Sequence, residues 1–302
     1  MRGLIALMPL LLANAAVAAS EKPPAELPEA VQAMLDAAMA SGDEAEVATV
    51  AKYAAAALPS SSQAITDLVD GWKGARREAR NRTLREADLL DLWTGSVEFG
   101  GFASSGNSPT AGGTGALDLT RDGLQWRLKL HAQADYQETR NVVTREHYGL
   151  SFEPNYRIDD RLYVYGAAQY ESDRFFGYND RLSLSSGLGY SAFRRPGLTL
   201  DLELGPGYRA TAFTDGRNER SIAARGTLDT DWQLADGLTL REDASAYVQR
   251  FNSTLTSTTA IAARVLGPIS AQLSYAVQYE SMPPNGRENV DTTSRASLVY
   301  KF

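Results

Sequence analysis

From Trp93 onward the chain alternates apolar and polar residues with period two. Residues 124–136, LQWRLKLHAQADY, put Leu124, Trp126, Leu128, Leu130, Ala132, Ala134 and Tyr136 on one face. Gln125, Arg127, Lys129, His131, Gln133 and Asp135 fall on the other. Residues 269–280 repeat the pattern from Ile269 to Tyr279, and 198–205 set Leu198, Leu200, Leu202 and Leu204 against Asp201 and Glu203. Side chains of a strand change face at each residue, so every segment has one apolar and one polar side. The segments exceed the ~5–6 residues of an average soluble strand and satisfy the ~9–11 that a tilted membrane strand needs.

Two further features separate a membrane barrel from a soluble sandwich. The apolar faces end in aromatics such as Trp126, Tyr136 and Tyr190, as two interfacial girdles require. The connections alternate tight (RDG, DDR, RRPG, ADG, LGP) and looser (SSGNSPTAG, QETRNVV, RFFGYND, TDGRNE, NSTLT, MPPNGREN). Short periplasmic turns and longer outer loops give that alternation. Counting segments predicts an all-β, antiparallel transmembrane β-barrel of about twelve strands over 92–302, bounded near 92–103, 112–121, 124–136, 144–157, 161–173, 180–193, 197–213, 218–234, 238–251, 255–266, 268–281 and 289–302. An even count returns the C-terminus to the side on which the first strand begins. One strand resists: Glu242 shares the apolar face with Leu240 and Ala244, so either a bulge shifts the register or Glu242 sits near the membrane interface.

The segment before the barrel has a different period. Residues 1–19 combine Arg2, an apolar run from Leu4 to Leu12 and Ala16-Val17-Ala18, the pattern of a secretory signal peptide. Residues 20–91 form a small α-helical segment by spacing. Val31, Met34, Leu35 and Ala38 share one helical face, and Val47, Val50, Ala51 and Ala54 another. Ser60 with Gln63 has the spacing of a capping box. A basic run follows: Lys73, Arg76, Arg77, Arg80, Arg82 and Arg85. It is either a solvated helix face or, at Arg76, Arg77 and Arg80, a contact for phosphate-bearing lipid or an acidic periplasmic partner. The chain has no cysteine and a formal charge of −7, which removes thiolate chemistry and argues against a nucleic-acid partner. No cofactor is expected.

Chemistry is therefore sought on the inward, polar face. The candidates for lining the lumen are Arg127, Lys129, Asp135, Glu153, Arg157, Glu171, Asp173, Arg181, Asp201, Glu203, Arg209, Arg225, Asp229, Asp231, Arg264, Glu280 and Arg295. They read either as an ion-pair network filling a narrow barrel or as the wall of a small water path. His131, His147 and Ser151 point inward by parity, away from lipid, which disfavours a lipid-facing triad. Two histidines without a third ligand make a weak metal site. A barrel enzyme acting on envelope lipids is the alternative reading. No catalytic residues are assigned.

The motifs WTGSVEFGG…SGNSPT, GLGY at 187–190, LELGPGYR at 202–209 and the closing VDTT…LVYKF resemble the salt-induced outer membrane proteins, domain-of-unknown-function family 481. The resemblance covers about the last two-thirds of the chain. It implies an outer-membrane barrel. The chain as a whole reads as envelope-structural or as a narrow pore for small solutes, and because the short turns follow the even strands, the N-terminal segment and C-terminus are expected in the periplasm. The chain's ending on RASLVYKF also resembles the signal by which such barrels are recognised by the assembly machinery, at Leu298, Tyr300 and Phe302.

Overall fold

The computed structural model describes residues 27–88, 90–104, 110–250, 252–283 and 288–302, so the segment read as a signal peptide lies outside the described residues. The chain divides into two units, Met1–Arg82 and Thr83–Phe302.

The first unit is built of helices α1 (Glu29–Ser41), α2 (Glu44–Ala57) and α3 (Ser62–Glu86), with a single 3-10 turn at Pro59–Ser61. Gly42 ends α1 in the left-handed region, φ 78°, which a glycine adopts without a Cβ penalty. Asp43 then caps α2, its carboxylate accepting from the Ala45 and Glu46 N–H groups. Leu35, Ala38, Val47, Ala54, Ile65 and Val69 form the buried core. Two details differ from the sequence reading. Met34 is 44 % exposed, because Leu35 and Ala38 already fill the stripe that meets the neighbouring helices. The Ser60/Gln63 box does not form: the 3-10 turn displaces the helix start to Ser62, and the Gln63 amide donates to Asp67 instead.

The second unit is a closed antiparallel barrel of twelve strands, each paired with its sequence neighbours and β1 with β12. In order they are β1 (Trp93–Ser104), β2 (Thr110–Asp122), β3 (Trp126–Thr139), β4 (Val142–Arg157), β5 (Leu162–Asp173), β6 (Tyr178–Arg195), β7 (Leu198–Phe213), β8 (Asn218–Ala235), β9 (Leu238–Gln249), β10 (Thr254–Leu266), β11 (Ile269–Glu280) and β12 (Val290–Lys301). Closure leaves no strand edge to meet lipid.

The exterior is apolar between two aromatic rows. Trp126, Tyr156, Tyr190, Trp232, Tyr300 and Phe302 stand exposed near one end, and Tyr136, Tyr148, Tyr170 and Tyr279 towards the other. Ten residues separate Trp126 from Tyr136; at ~3.3 Å per residue and a ~40° tilt that spans about 25 Å, the height of a barrel's apolar band.

At the Trp126 end the connections are tight turns. In one of them the N–H groups of Leu162 and then Arg161 hold the Asp159 carboxyl below its usual range. The opposite end departs from expectation at residues 137–143, read as a loose loop. Here β3 and β4 join through Arg140 and Asn141 alone, both at positive φ, 52° and 62°, as a two-residue hairpin turn matching the strand twist requires. The strands simply run on to the turn.

Glu242 faces outward with the pairing of β9 unbroken around it, so no bulge moves it. Ser257 donates to its carboxylate at 2.6 Å and Thr259 donates as well. It lies one outward position beyond Leu240, which is paired with Trp232 of the aromatic row, and a charge costs less near the interface than at the midplane.

Strands β6 and β7 approach unusually closely. A Cβ on Gly205 would lie 2.0 Å from the Ser186 carbonyl oxygen, and one on Gly187 would lie 2.2 Å from that of Leu204. A Cβ on Gly189 would strike the Tyr163 ring. The glycines of GLGY and LELGPGYR thus permit two backbones and an inward tyrosine to share one space. Gly187→Ala or Gly205→Ala is expected to cost about 1–3 kcal/mol by overpacking, read as a lowered denaturant midpoint of the refolded barrel. Gly113→Ala, where the nearest atom lies 3.7 Å away, should change little.

Candidate functional site: the barrel lumen

Parity along each strand carries the charged residues to the interior, and there they pair both along the wall and across the barrel. Arg181 of β6 meets Glu280 of β11 at 2.7 Å, five strands away on a ring of twelve. Lys129 of β3 lies 3.1 Å from Glu153 of β4 and 3.7 Å from Asp229 of β8. Arg225 of β8 spans to Glu153 at 3.1 Å and to Glu203 of β7 at 2.8 Å. Arg127 of β3 reaches Asp201 of β7 at 3.2 Å. A chord between strands four or five apart crosses the lumen, so the cavity is subdivided by side chains.

The chords differ in burial along the axis. Near the loop end, away from the Trp126 row, Arg181 and Glu280 are both 2 % exposed. Thr254 donates to Glu280, and Arg209 donates to Thr254 and to Ser183. The Arg181 guanidinium lies 3.8 Å from the centre of the Tyr178 ring, and Tyr178 packs with Phe176 and Phe213 in a buried cluster. Asp173, one of the inward candidates, accepts the Phe176 N–H at 2.7 Å and fixes the turn that places this ring. Glu171 faces inward opposite Arg181 in the β5–β6 register. On the other wall Asp135 is buried, with Arg295 at 2.7 Å, His147 Nδ1 at 3.2 Å and the Thr114 hydroxyl donating at 2.6 Å.

The end bounded by the tight turns is different. His131 and Asp118, 2.7 Å apart, are 42 % and 43 % exposed although both face inward. Arg241 and Asp231, 2.9 Å apart, are 43 % and 51 % exposed. Arg157 pairs with Asp122 and donates to the Gly123 carbonyl at the rim. The lumen is packed at the loop end; at the tight-turn end it is accessible to water beside β2–β3 and β8–β9, whereas Asn155, Tyr163 and Ser191 are buried on the side of β4 to β6.

Alternation places Arg127, Lys129, Asp135, Glu153, Arg181, Glu203, Arg225, Glu280 and Arg295 inward, where they pair; Asp118, Asp122 and Arg241, which also pair there, are not among the sequence candidates. What the charge pattern did not reveal is the aromatic filling: Tyr163, Tyr165, Tyr178, Tyr247, Phe176 and Phe213 are buried inside. Tyr165 lies under Arg225 at 5.0 Å, Tyr247 under Arg209 at 3.9 Å and Tyr163 under Arg127 at 5.2 Å. Parity was the available signal, since Tyr163 and Tyr165 occupy the same face of β5 as Glu171. His131 and His147 each engage a different aspartate, and neither bonds a serine hydroxyl among the described residues.

Removing one member of a buried pair strands the other, at a cost of roughly 3–5 kcal/mol, whereas replacing both by apolar residues is often neutral. Arg181→Leu should therefore strongly lower the denaturant midpoint, and Arg181→Leu with Glu280→Leu should recover most of the loss. Equal destabilisation by the single and double changes would mean the pair is not closed as described.

Residues 97–302 match the family described as "Protein of unknown function, DUF481". The chain is 26 % identical over 209 residues to the "Uncharacterized protein YdiY" of Escherichia coli (strain K12), covering 69 % of this chain and 82 % of that protein. Among solved structures, the NanC porin aligns with 14 % identity and a TM-score of 0.43 over 68 % of this chain and 98 % of that one. The COG4313 outer membrane channel from Pseudomonas putida F1 aligns with 10 % identity and a TM-score of 0.43 over 72 % and 100 %. The family match spans more than half of the sequence and coincides with the barrel strands: the chain belongs to the DUF481 family.

Proposed function

We propose that the protein is a bacterial outer-membrane barrel whose lumen is closed at rest, serving the envelope as a structural element, and that it passes small ions or solutes only when the loop-end plug is displaced. The observation that carries this reading is the Arg181–Glu280 chord, fully desolvated and backed by Phe176, Tyr178 and Phe213. The second half of the reading rests on the water-exposed pairs at the other end, which would form the wall of a path once the plug moves. With both histidines engaged by aspartates inside the barrel, we assign no enzymatic role.

The tight-turn end is taken as periplasmic, as are the helical unit and the C-terminus. The motive is that the longest connections, 105–109 and 281–289, lie at the opposite end. Arg77 and Arg80 are exposed on α3, and Arg76 lies 4.9 Å from the Trp72 ring; this face suits phosphate-bearing lipid or an acidic periplasmic partner.

Single-channel recording in planar bilayers tests the closed state. The wild-type protein should give no steady open level, and Phe176→Ala with Phe213→Ala should produce discrete conductance. A steady ohmic conductance of the unaltered protein would refute it.

Leu298, Tyr300 and Phe302 all point outward and are exposed, as recognition by the barrel-assembly machinery would need. Deleting Phe302 should reduce the amount of heat-modifiable barrel recovered in outer membranes at native expression. Unchanged recovery would remove the assembly role.

A further inference from the structure

The tight-turn mouth is not symmetric. On the side of β8 to β12 it contains a cavity of about 330 Å³. Five consecutive strands each supply one inward-facing lining side chain: Gln233, Thr239, Arg264, Ser270 and Lys301. Two of the five are cations and none is an anion. The register of β10 against β11 slips between Arg264 and Leu266, a bulge of the kind that re-aims a side chain at a sheet end. The Arg264 N–H donates to the Gly237 carbonyl at 2.7 Å, which anchors this bulge to the neighbouring turn.

Both cations remain available. Arg264 lies 3.7 Å from Asp236, whose side chain is 93 % exposed, and such a long, solvated pair contributes little. The Lys301 ammonium has no ionic partner among the described residues. One level deeper stand two carboxylates and one cation. Glu98 of β1 accepts from Gln272 and Ser297, and Asp231 of β8 is held by Arg241 of β9. An anion entering the mouth meets two cations and hydroxyl and amide donors, then the Glu98 carboxylate and an Asp231 already paired with Arg241.

We infer that this mouth is a binding site for a small, multiply charged oxyanion, a compound with two or more carboxylate or phosphate groups. Arg264 and Lys301 engage separate anionic groups, and Gln233, Thr239 and Ser270 supply neutral donors. The site retains its ligand at the mouth rather than conducting it, and binding there is read without any current.

The test is isothermal titration of the full chain, refolded in a zwitterionic detergent, with citrate and with pyrophosphate as probes and sucrose as the neutral control. Saturable binding of one or both anions, and none of sucrose, is expected. Response to only one probe assigns carboxylate or phosphate chemistry. Arg264→Gln should weaken binding several-fold, and so should Lys301→Gln. Asp236→Asn should tighten it, because the competing carboxylate is gone. Lys301 lies in the strand that closes the barrel, so Arg264→Gln and Asp236→Asn carry the test if the Lys301 variant does not fold. Absence of saturable heat for both anions up to tens of millimolar would overturn the assignment. So would binding that is indifferent to Arg264→Gln and Asp236→Asn.

Discussion

The whole arrangement depends on the pairing of the last strand with the first. The Gly95 N–H donates to the Phe302 carbonyl at 2.9 Å, and the Phe302 N–H returns the bond to Gly95 at 2.9 Å. From there the register runs Ser96 with Lys301 through to Gly100 with Ser297. In hydrocarbon an unpaired backbone group costs several kcal/mol, so an open sheet of these strands could not sit in lipid. The seam is also fastened from within, where Glu98 of β1 accepts from Ser297 of β12 and Gln272 of β11. Once the ring is closed, the parity of every residue becomes a statement about lipid or lumen.

Closure in turn creates an interior that must be filled or wetted, and the two ends resolve this differently. At the loop end, desolvated charges are compensated by direct partners and by aromatic faces: Arg181 by Glu280 and Tyr178, Arg209 by Thr254 and Tyr247. Burying such charges depends on their pairing, and here Arg181 Nε and Glu280 Oε2 are buried without a hydrogen bond among the described residues. At the other end Asp118, His131, Asp231 and Arg241 keep contact with water, and their pairs need less from the protein. The glycines at 187, 189 and 205 belong to the packed part, because removing Cβ atoms from the inner wall of β6 and β7 admits the Tyr163 ring and lets the two strands close together. The motifs by which the chain resembles its family are thus, in part, packing devices of the lumen.

The sequence made the barrel legible because period two is a direct consequence of strand geometry, and membrane burial demands it over an unbroken length. Strand number and the inward placement of Arg127, Glu203 and Arg225 follow from that period alone. Which inward residues meet does not, because Arg181 and Glu280 are separated by nearly a hundred positions and join only through the cross-section of the closed ring. The tight Arg140-Asn141 turn escaped because neither residue is glycine, although asparagine tolerates positive φ better than most. Glu242 looked like an error in the pattern. The hydroxyls that accommodate it belong to the next strand, out of reach of a reading taken one segment at a time.

The lumen is wet at the tight-turn end beside β2, β3, β8 and β9 and shut at the loop end. The chain has no cysteine, so single substitutions report accessibility without background. Asp231→Cys and Ser183→Cys, each in refolded protein, should be exposed to a small, charged, membrane-impermeant methanethiosulfonate reagent. The account predicts rapid modification at position 231 and protection at position 183 until the barrel is denatured. Rapid modification at both positions would contradict it, because it would mean that water reaches through the Arg181–Glu280 level in the folded state.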